Sequence, residues 1–391
     1  ASETTAAGPI NIGVLSVTSG AFAQLGQDAI DGINIAFEDV GYEVAGRPVN
    51  VFILPTDMTP ETAIDSMRAA VNRDKCQIVL GPLSGSEGTA IKNSIGEFPN
   101  TLVNACCTAA ETVTTRGIAP NLFRTSNNGI QPMHPFGEYI YEQGYKRIVT
   151  IGEDYDFPYS TVGALLKTFV EKGGTVAKKY WVPIGTSDYS PIITDLPKDI
   201  DGIFVTLSGT DIMNFLTQME SFGVEIPILG SPTSLDSGTV TTLGEVVDGV
   251  LSVNVITLES DRPEFKHLYD RYWELRGRPY GGFTSAYYTG ALFTIAAIEA
   301  VNGNIEDFEA FCEVYGKTEI EAPNSHISLD DHHSVVCDFF VNEVQNVDGV
   351  WKNIPVKTYS QVGQFWNYDP AEYEAQPVYD KESIDQMFPD S

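Results

Sequence analysis

From Ile10 onwards, short β-branched runs alternate with stretches whose apolar positions recur every three or four residues. Ile10-Asn-Ile-Gly-Val-Leu reads as a buried strand bounded by Thr18-Ser19-Gly20, and Ile30, Ile33, Phe37 and Val40 then mark one apolar face of a helix. Val49, Val51 and Ile53 alternate as a strand. Thr59-Pro60-Glu61 is a helix start, with a capping hydroxyl, a proline at the first helical position and an acid in the first turn. Ile78-Val-Leu-Gly, a helix over 86–95 and Thr101-Leu-Val-Asn continue a strand–helix–strand series of parallel-sheet character.

A second series follows Phe123-Arg124-Thr125: helix 133–143, strand Arg147-Ile-Val-Thr-Ile-Gly, helix 162–172, strand 176–182, strand Ile203-Phe-Val-Thr-Leu, helix 212–222 and strand Ile226-Pro-Ile-Leu-Gly, ending near Gly249-Val-Leu-Ser-Val-Asn. One open sheet with so many strands would be unusual, so the pattern predicts two sheets. The stretch 254–329 is mainly helical (263–276, 285–301 and 305–314) and must cover a sheet already built. Strands 336–344 and 350–355 flank Val347-Asp348-Gly349, an Asp-Gly hairpin signal. The expected fold class is α/β, two Rossmann-like lobes with parallel central sheets joined by three crossovers near Arg124, Val253 and 329–331. Residues 9–124 with 254–329 would form the N-terminal lobe and 125–253 with 330–358 the C-terminal lobe, with the aromatic tail 359–391 packed on the lobes.

Composition narrows the function. The 391 residues suit two or three domains at about 150 residues each, and 42% hydrophobic residues are ample for cores. A formal net charge of −30 without a basic block argues against nucleic acid. No apolar run approaches the ~20 residues that span a bilayer, so no membrane insertion is expected. The small, polar opening Ala1-Ser-Glu-Thr-Thr-Ala-Ala-Gly has no basic or apolar signal region, as expected where a signal peptide has been removed. Five cysteines are too few for a disulfide scaffold.

Three successive strands of the first series end in loops of small and hydroxyl residues: Ser16-Val-Thr-Ser-Gly20, Gly81-Pro-Leu-Ser-Gly-Ser-Glu-Gly88 and Asn104-Ala-Cys-Cys-Thr108. In an open α/β sheet, ligands bind beyond the carboxyl ends of the strands, where helix N-termini present N–H groups. Each loop alone reads equally as an ordinary cap or tight turn; three at one edge point to a ligand site. No phosphate-binding glycine loop, dinucleotide fingerprint or Gly-x-Ser-x-Gly elbow is present, so no cofactor is expected. With five histidines, three of them within 324–333, a catalytic cysteine at Cys106 or Cys107 is disfavoured against a core or pocket thiol. His326-Ile-Ser-Leu-Asp-Asp-His-His333 lacks metal spacing and reads as a hydrogen-bonded turn. Acid pairs such as Glu153-Asp154 read as solvated surface in so acidic a chain. Glu153-Asp-Tyr-Asp-Phe-Pro-Tyr-Ser160 places Tyr155, Phe157 and Tyr159 in a loop after a strong strand, as a lid onto the other lobe. Ser208-Gly209-Thr210 and Ser231-Pro-Thr-Ser234 occupy the matching edge of the second sheet. Two uncharged, hydroxyl-lined rims describe a binding protein that closes on a small molecule by a hinge.

The chain resembles the type I periplasmic substrate-binding proteins of the branched-chain amino acid/amide/urea class, the receptors of ABC importers. The resemblance rests on the stretch 12–26, on Ile78-Val-Leu-Gly-Pro-Leu-Ser-Gly-Ser86, and on 104–111. It extends to Asp154-Tyr-Asp-Phe-Pro-Tyr159 with Gly173-Gly-Thr-Val176, and to 324–335 followed by Asp348-Gly-Val-Trp. It implies ligand contacts at Ser84, Gly85, Ser86, Cys106, Cys107 and Thr108, packing against Leu25, Phe157 and Phe283, and second-lobe contacts near Ser208 and Thr233. The amino-acid binders place an acid after the strand that ends here at Gly230; Ser231-Pro-Thr-Ser stands there instead, with the nearest acid at Asp236. An uncompensated ammonium is costly. The resemblance therefore implies an aromatic or short carboxylic acid, an amide or a urea-like ligand, with branched-chain amino acids disfavoured. Met58 and Ser84 replace the family's usual cysteine pair, leaving Cys312 with Cys337 as the alternative disulfide. The expectation is a monomeric, non-enzymatic periplasmic receptor that delivers its solute to a membrane permease. A cytosolic amide-type sensor and a small-molecule hydrolase are the alternatives.

Overall fold

The protein is described here by a computed structural model covering residues 8–20 and 22–391. Residues 1–7 of the polar opening, and Ala21, lie outside the described residues. The chain forms two compact units, one running up to Asn127 and resuming over Asp261–Cys337, the other comprising Asn128–Ser260 and Asp338–Ser391. The three crossings thus fall after Asn127, Ser260 and Cys337, each some residues beyond the point read from the sequence.

In the first unit, β1 (Ile10–Val17), β2 (Glu43–Val44), β3 (Arg47–Thr56), β4 (Ile78–Leu80), β5 (Leu102–Asn104) and β6 (Leu122–Phe123) lie in the order β2-β3-β1-β4-β5-β6. β1 pairs in parallel with both β3 and β4, Ile12 standing opposite Val51 and Ile78. The continuous apolar runs are what a sheet covered on both faces requires. Because successive crossovers leave β1 in opposite directions, the strand order reverses between β1 and β4, and their carboxyl ends open a crevice there. Helix Ala23–Asp39 returns from β1 at very close range: a Cβ on Gly26 would lie 1.7 Å from the Val17 carbonyl oxygen. The Ser16 hydroxyl donates to the Gly26 carbonyl at 2.9 Å. Helices Pro263–Arg276, Gly282–Ala300 and Phe308–Gly316 also belong to this unit, with Gly290 making room for the Cys106 side chain.

In the second unit, β7 (Arg147–Glu153), β8 (Thr175–Val182), β9 (Gly202–Thr206), β10 (Ile228–Gly230) and β11 (Leu251–Asn254) follow the same logic. β12 (Ile320–Glu321) and β13 (His326–Leu329) lie in the first unit, and β14 (Val335–Val347) starts there before continuing into the second, where β15 (Val350–Val362) pairs with it. The sheet order in this unit is β14-β11-β10-β9-β7-β8, so the reversal falls between β7 and β9. Asp348 and Gly349 turn the β14–β15 hairpin with φ of 53° and 85°, the geometry that Asp-Gly favours.

Several expectations are corrected. Helix Asp156–Glu171 begins six residues before the expected start at 162, because Asp156 and Pro158 are acceptable in a first turn; Phe157 and Tyr159 are therefore helical, not in a loop. β15 runs through 359–362, so the tail proper starts after it and packs on the second unit. There Lys179 donates to the Phe388 carbonyl at 2.8 Å and pairs with Asp390, and the Ser391 N–H donates to Val176 of β8 at 2.9 Å. This covers a strand edge that would otherwise be open to pairing. No disulfide joins Cys312 to Cys337. Cys312 is on helix Phe308–Gly316 and Cys337 within β14, both buried, and burial pushes the Cys312 thiol up to about 12.

Gly26→Ala should lower thermal stability markedly, by about 1–3 kcal/mol or more, since the methyl would collide with β1 backbone. A melting curve of the variant within 1 °C of wild type would contradict this close approach.

Candidate functional site

At the first reversal point, Ser84 caps helix Gly85–Asn93. Its hydroxyl donates to Glu87 Oε2 at 2.7 Å and accepts the Glu87 N–H at 3.3 Å, and its own N–H donates to the same carboxylate oxygen at 3.0 Å. The Ser86 hydroxyl donates to the Met58 carbonyl at 3.1 Å. Both serines are therefore used by the chain itself. What this edge offers a solute is backbone: the N–H groups of Gly85 and Ser86 occupy the first helical positions, where no intrahelical acceptor exists. A Cβ on Gly85 would lie 3.3 Å from that of Ala110, so the loops after β4 and β5 meet closely.

Thr108 is fully buried over Gly88, and its Oγ1 has no protein partner. Cys106 points inward against Gly290, its thiol pushed well up by burial. Cys107 is half-buried and is pushed up to about 12, by burial first and by Glu87 second. Burial disfavours the thiolate form of both. Leu25 and Phe283, both half-buried, sit in the first turns of helices Ala23–Asp39 and Gly282–Ala300. The 330–334 segment is a tight turn, with Asp330 accepting the N–H groups of His332 and Ser334 at 2.9 Å each.

At the second reversal point the key residue is Glu153, the last of β7. It is 4% exposed and accepts the Ser208 N–H at 3.0 Å, joining the loop after β9 to the end of β7. The Ser208 hydroxyl donates to Thr233 Oγ1 at 3.2 Å. Thr233 and Ser231 are 3.3 Å apart, Ser231 and Ser234 2.9 Å, and Ser234 donates to the Val205 carbonyl at 3.1 Å while accepting the Leu207 N–H at 3.3 Å. The loops after β7, β9 and β10 are thereby one hydrogen-bonded rim. Buried Asp211 adds the loop after β8 by accepting the Gly185 N–H at 2.8 Å. Tyr155 is exposed and Phe157 half-buried, their rings 6.5 Å apart. Tyr159 faces away, edge-on to Trp181 at 4.7 Å with its hydroxyl on Asp154, so it braces the rim rather than lining it.

The rims are not uncharged, as the sequence reading expected. Glu87 at the first is fully buried with Oε1 unpaired, and Glu153 stands at the second. The Ser-x-x-Glu capping pattern at Ser84–Glu87 was a signal available for the first; nothing local marks the second. Asp236, the nearest acid after β10, caps helix Ser237–Leu243 through the Thr239 N–H at 2.8 Å.

Two parallel-sheet units, each with small-residue and hydroxyl loops at its reversal point, define a bilobal solute-binding architecture. The periplasmic binding protein family profile matches residues 9–349. The chain belongs to that family, as a type I periplasmic binding protein of the ABC-transporter, Leu/Ile/Val-binding-like class. It is 24% identical over 368 residues to Leu/Ile/Val-binding protein homolog 6 of Brucella melitensis, covering 90% of this chain and 92% of that relative. An ABC transporter substrate-binding protein from Sphaerobacter thermophilus superposes with a TM-score of 0.86 at 26% identity, over 91% of this chain and 99% of that one. A solute-binding protein from Rhodopseudomonas palustris BisB5, in complex with 3,4-dihydroxybenzoic acid, gives 0.83 at 19% identity over 91% and 98%. A leucine-binding protein from Thermotoga maritima gives 0.77 at 21% identity over 90% and 99%. Among the described residues no helix is long and apolar enough to cross a membrane.

Burial raises the Glu153 carboxyl above its ordinary value of 4.5, Asp211 adding to the effect and the Ser208 N–H opposing it. A raised carboxyl favours the protonated folded state, so its contribution to stability is present at low pH and lost as pH rises from the unfolded through the folded value. Glu153→Gln should therefore gain stability relative to wild type at neutral pH, the gain vanishing in the acid range below 4.5. Melting temperatures of both proteins across that pH range, with no change in their difference, would disprove it.

Proposed function

We propose that this chain is the extracytoplasmic receptor of an ABC importer that captures an aromatic or short carboxylic acid, an amide or a urea-like solute and delivers it unchanged to a membrane permease. It would work as a monomer in the periplasm, the rims of both units being brought onto the solute by hinge closure. The observation that carries the ligand class is the first rim: the N–H groups at the start of helix Gly85–Asn93 and the unpaired Thr108 hydroxyl are neutral donors gathered at one edge. Such groups suit a carboxylate or carbonyl oxygen. Structural relatives from Rhodopseudomonas palustris in complex with benzoate and with 4-hydroxybenzoate favour the aromatic acids within this class. The residue that follows β10 is Ser231, not an acid, and Asp236 is committed to its helix cap, which weighs against a simple branched-chain amino acid binder. Burial raises both rim thiols, which weighs against a hydrolase that would use either as its nucleophile.

Thermal-shift titration with benzoate, hydroxybenzoates, short-chain acids, amides and ureas should yield a concentration-dependent stabilisation by at least one of them. Thr108→Val and Phe157→Ala should each raise the Kd of that solute about tenfold or more. Unchanged titrations in both variants would remove these rims from the site, and a response confined to α-amino acids would overturn the ligand class.

A further inference from the structure

The second unit has an open recess at the end of its sheet opposite to Glu153 and Ser208, beside the amino ends of β7, β9, β10 and β11. Its volume is about 540 Å³, a size that holds small molecules. Tyr139, in the last turn of helix Met133–Glu142, and Tyr145, two residues before β7, line it together with apolar Pro227, Leu251 and Val356. The Tyr145 ring lies against Gly202 at the start of β9, where a Cβ would come within 2.9 Å of it. Both tyrosines are half-buried. Among the described residues neither hydroxyl has a hydrogen-bond partner in the protein.

Among the described residues that line the recess, the charged ones are both acids, Glu343 of β14 and Asp201. Glu343 Oε2 accepts from Gln345 Nε2 at 3.2 Å, and Oε1 is left over. Asp201 takes the N–H groups of Lys146 and Arg147 on Oδ2, at 2.8 Å each, which leaves Oδ1. Burial pushes both phenols above their ordinary value and Glu343 adds to the shift of each, which places the three groups in one neighbourhood. Donors here are already spent. The N–H groups of Gly144, Tyr145 and Gly249 go to the carbonyls of Tyr141, Ile140 and Val344. Lys146 Nζ donates to the Tyr141 carbonyl at 2.6 Å and lies 3.2 Å from the centre of that ring, while Arg147 is held by Asp199 and Ser391. The exposed Gln143 amide is neutral and can donate or accept. Helix Met133–Glu142 also ends at this recess, presenting the negative end of its dipole. We propose that the recess is a second binding site, for a small organic ammonium with a compact apolar body. The free carboxyl and phenol oxygens accept its N–H groups, the tyrosine rings favour its charge, and Pro227, Leu251 and Val356 cover its hydrocarbon part. An anion would face Glu343 and Asp201 with no cation to offset them. The net charge of −30 attracts a cation from further away.

Calorimetric titration of the full chain with phenethylammonium and with its neutral isostere 2-phenylethanol provides the test. The cation should bind saturably at one site, and the alcohol about tenfold more weakly or worse. Glu343→Gln keeps the shape and removes the charge, and should weaken phenethylammonium binding about tenfold. Tyr145→Phe keeps the ring over Gly202 and removes one acceptor, and should weaken it about threefold. Glu313→Gln removes the same charge from the exposed face of helix Phe308–Gly316 in the other unit, and should leave binding unchanged. An absence of saturable binding by millimolar phenethylammonium would overturn the inference. So would equal binding of the alcohol, affinity unmoved by both Glu343→Gln and Tyr145→Phe, or a loss in Glu313→Gln as large as in Glu343→Gln, which would mark general attraction to an acidic surface. None of these outcomes bears on the receptor reading, whose residues lie at the opposite ends of the strands.

Discussion

A parallel strand must be followed by a crossover, and each crossover brings a helix N-terminus back to the same edge of its sheet. Everything that can touch a solute here depends on this constraint. It gathers unbonded helix N–H groups and short loops at the carboxyl ends of β1, β4 and β5 in one unit, and of β7, β9 and β10 in the other. The strand order reverses at β1/β4 and at β7/β9, where no helix covers the gap between neighbouring strand ends. Ser84 and Glu87 stand at the first of these points and Glu153 and Ser208 at the second.

At both reversal points the protein's own groups use part of the hydrogen-bonding capacity of the rim. At the first, Glu87 accepts from the Ser84 N–H and hydroxyl, which leaves helix N–H groups facing outward as donors. At the second, Glu153 accepts the Ser208 N–H, and the hydroxyls of Ser208, Thr233, Ser231 and Ser234 bond in series to the Val205 carbonyl. In both cases a buried carboxyl group accepts a backbone N–H of the rim. Burying a carboxylate disfavours its charged form, and burial raises the Glu153 carboxyl accordingly. A glutamine could accept the same N–H without the charge.

Much of this was legible in the sequence, for reasons that also explain what was not. The strands announced themselves because a sheet covered on both faces needs short runs rich in β-branched and apolar residues, as in Ile10–Val17 and Arg147–Glu153. The loops at Ser84, Thr108, Ser208 and Thr233 were locatable because they follow those runs. Roles within the loops were harder. Ser84 and Ser86 are the residues most easily read as ligand donors, yet both bond to their own chain, a commitment that depends on Glu87 and on the Met58 carbonyl from another loop. Glu153 was hidden by composition: with 53 acids in the chain, one more beside Asp154 reads as surface. The start of helix Asp156–Glu171 was obscured by Pro158, which is tolerated in a first turn although it would break a helix later. The hydroxyl series Ser208–Thr233–Ser231–Ser234 has no local signature at all, because it ends on a backbone carbonyl of β9.

What remains is how such short loops hold their shape. Tyr159 packs edge-on against Trp181 of β8, ties its hydroxyl to Asp154, and so fixes the turn that follows Glu153. β8 is itself an outer strand, pinned by the tail through Lys179 and Ser391, while Lys381 of the tail lies 3.9 Å from Asp154. Tyr379 fills the space over Gly163, where a Cβ would come within 2.2 Å of its ring, and anchors the tail to the helix that carries Phe157. The rim is thus braced from behind by residues that never meet the solute. A rim already hydrogen-bonded and braced loses little conformational entropy when a solute arrives, so more of each contact's free energy appears as affinity.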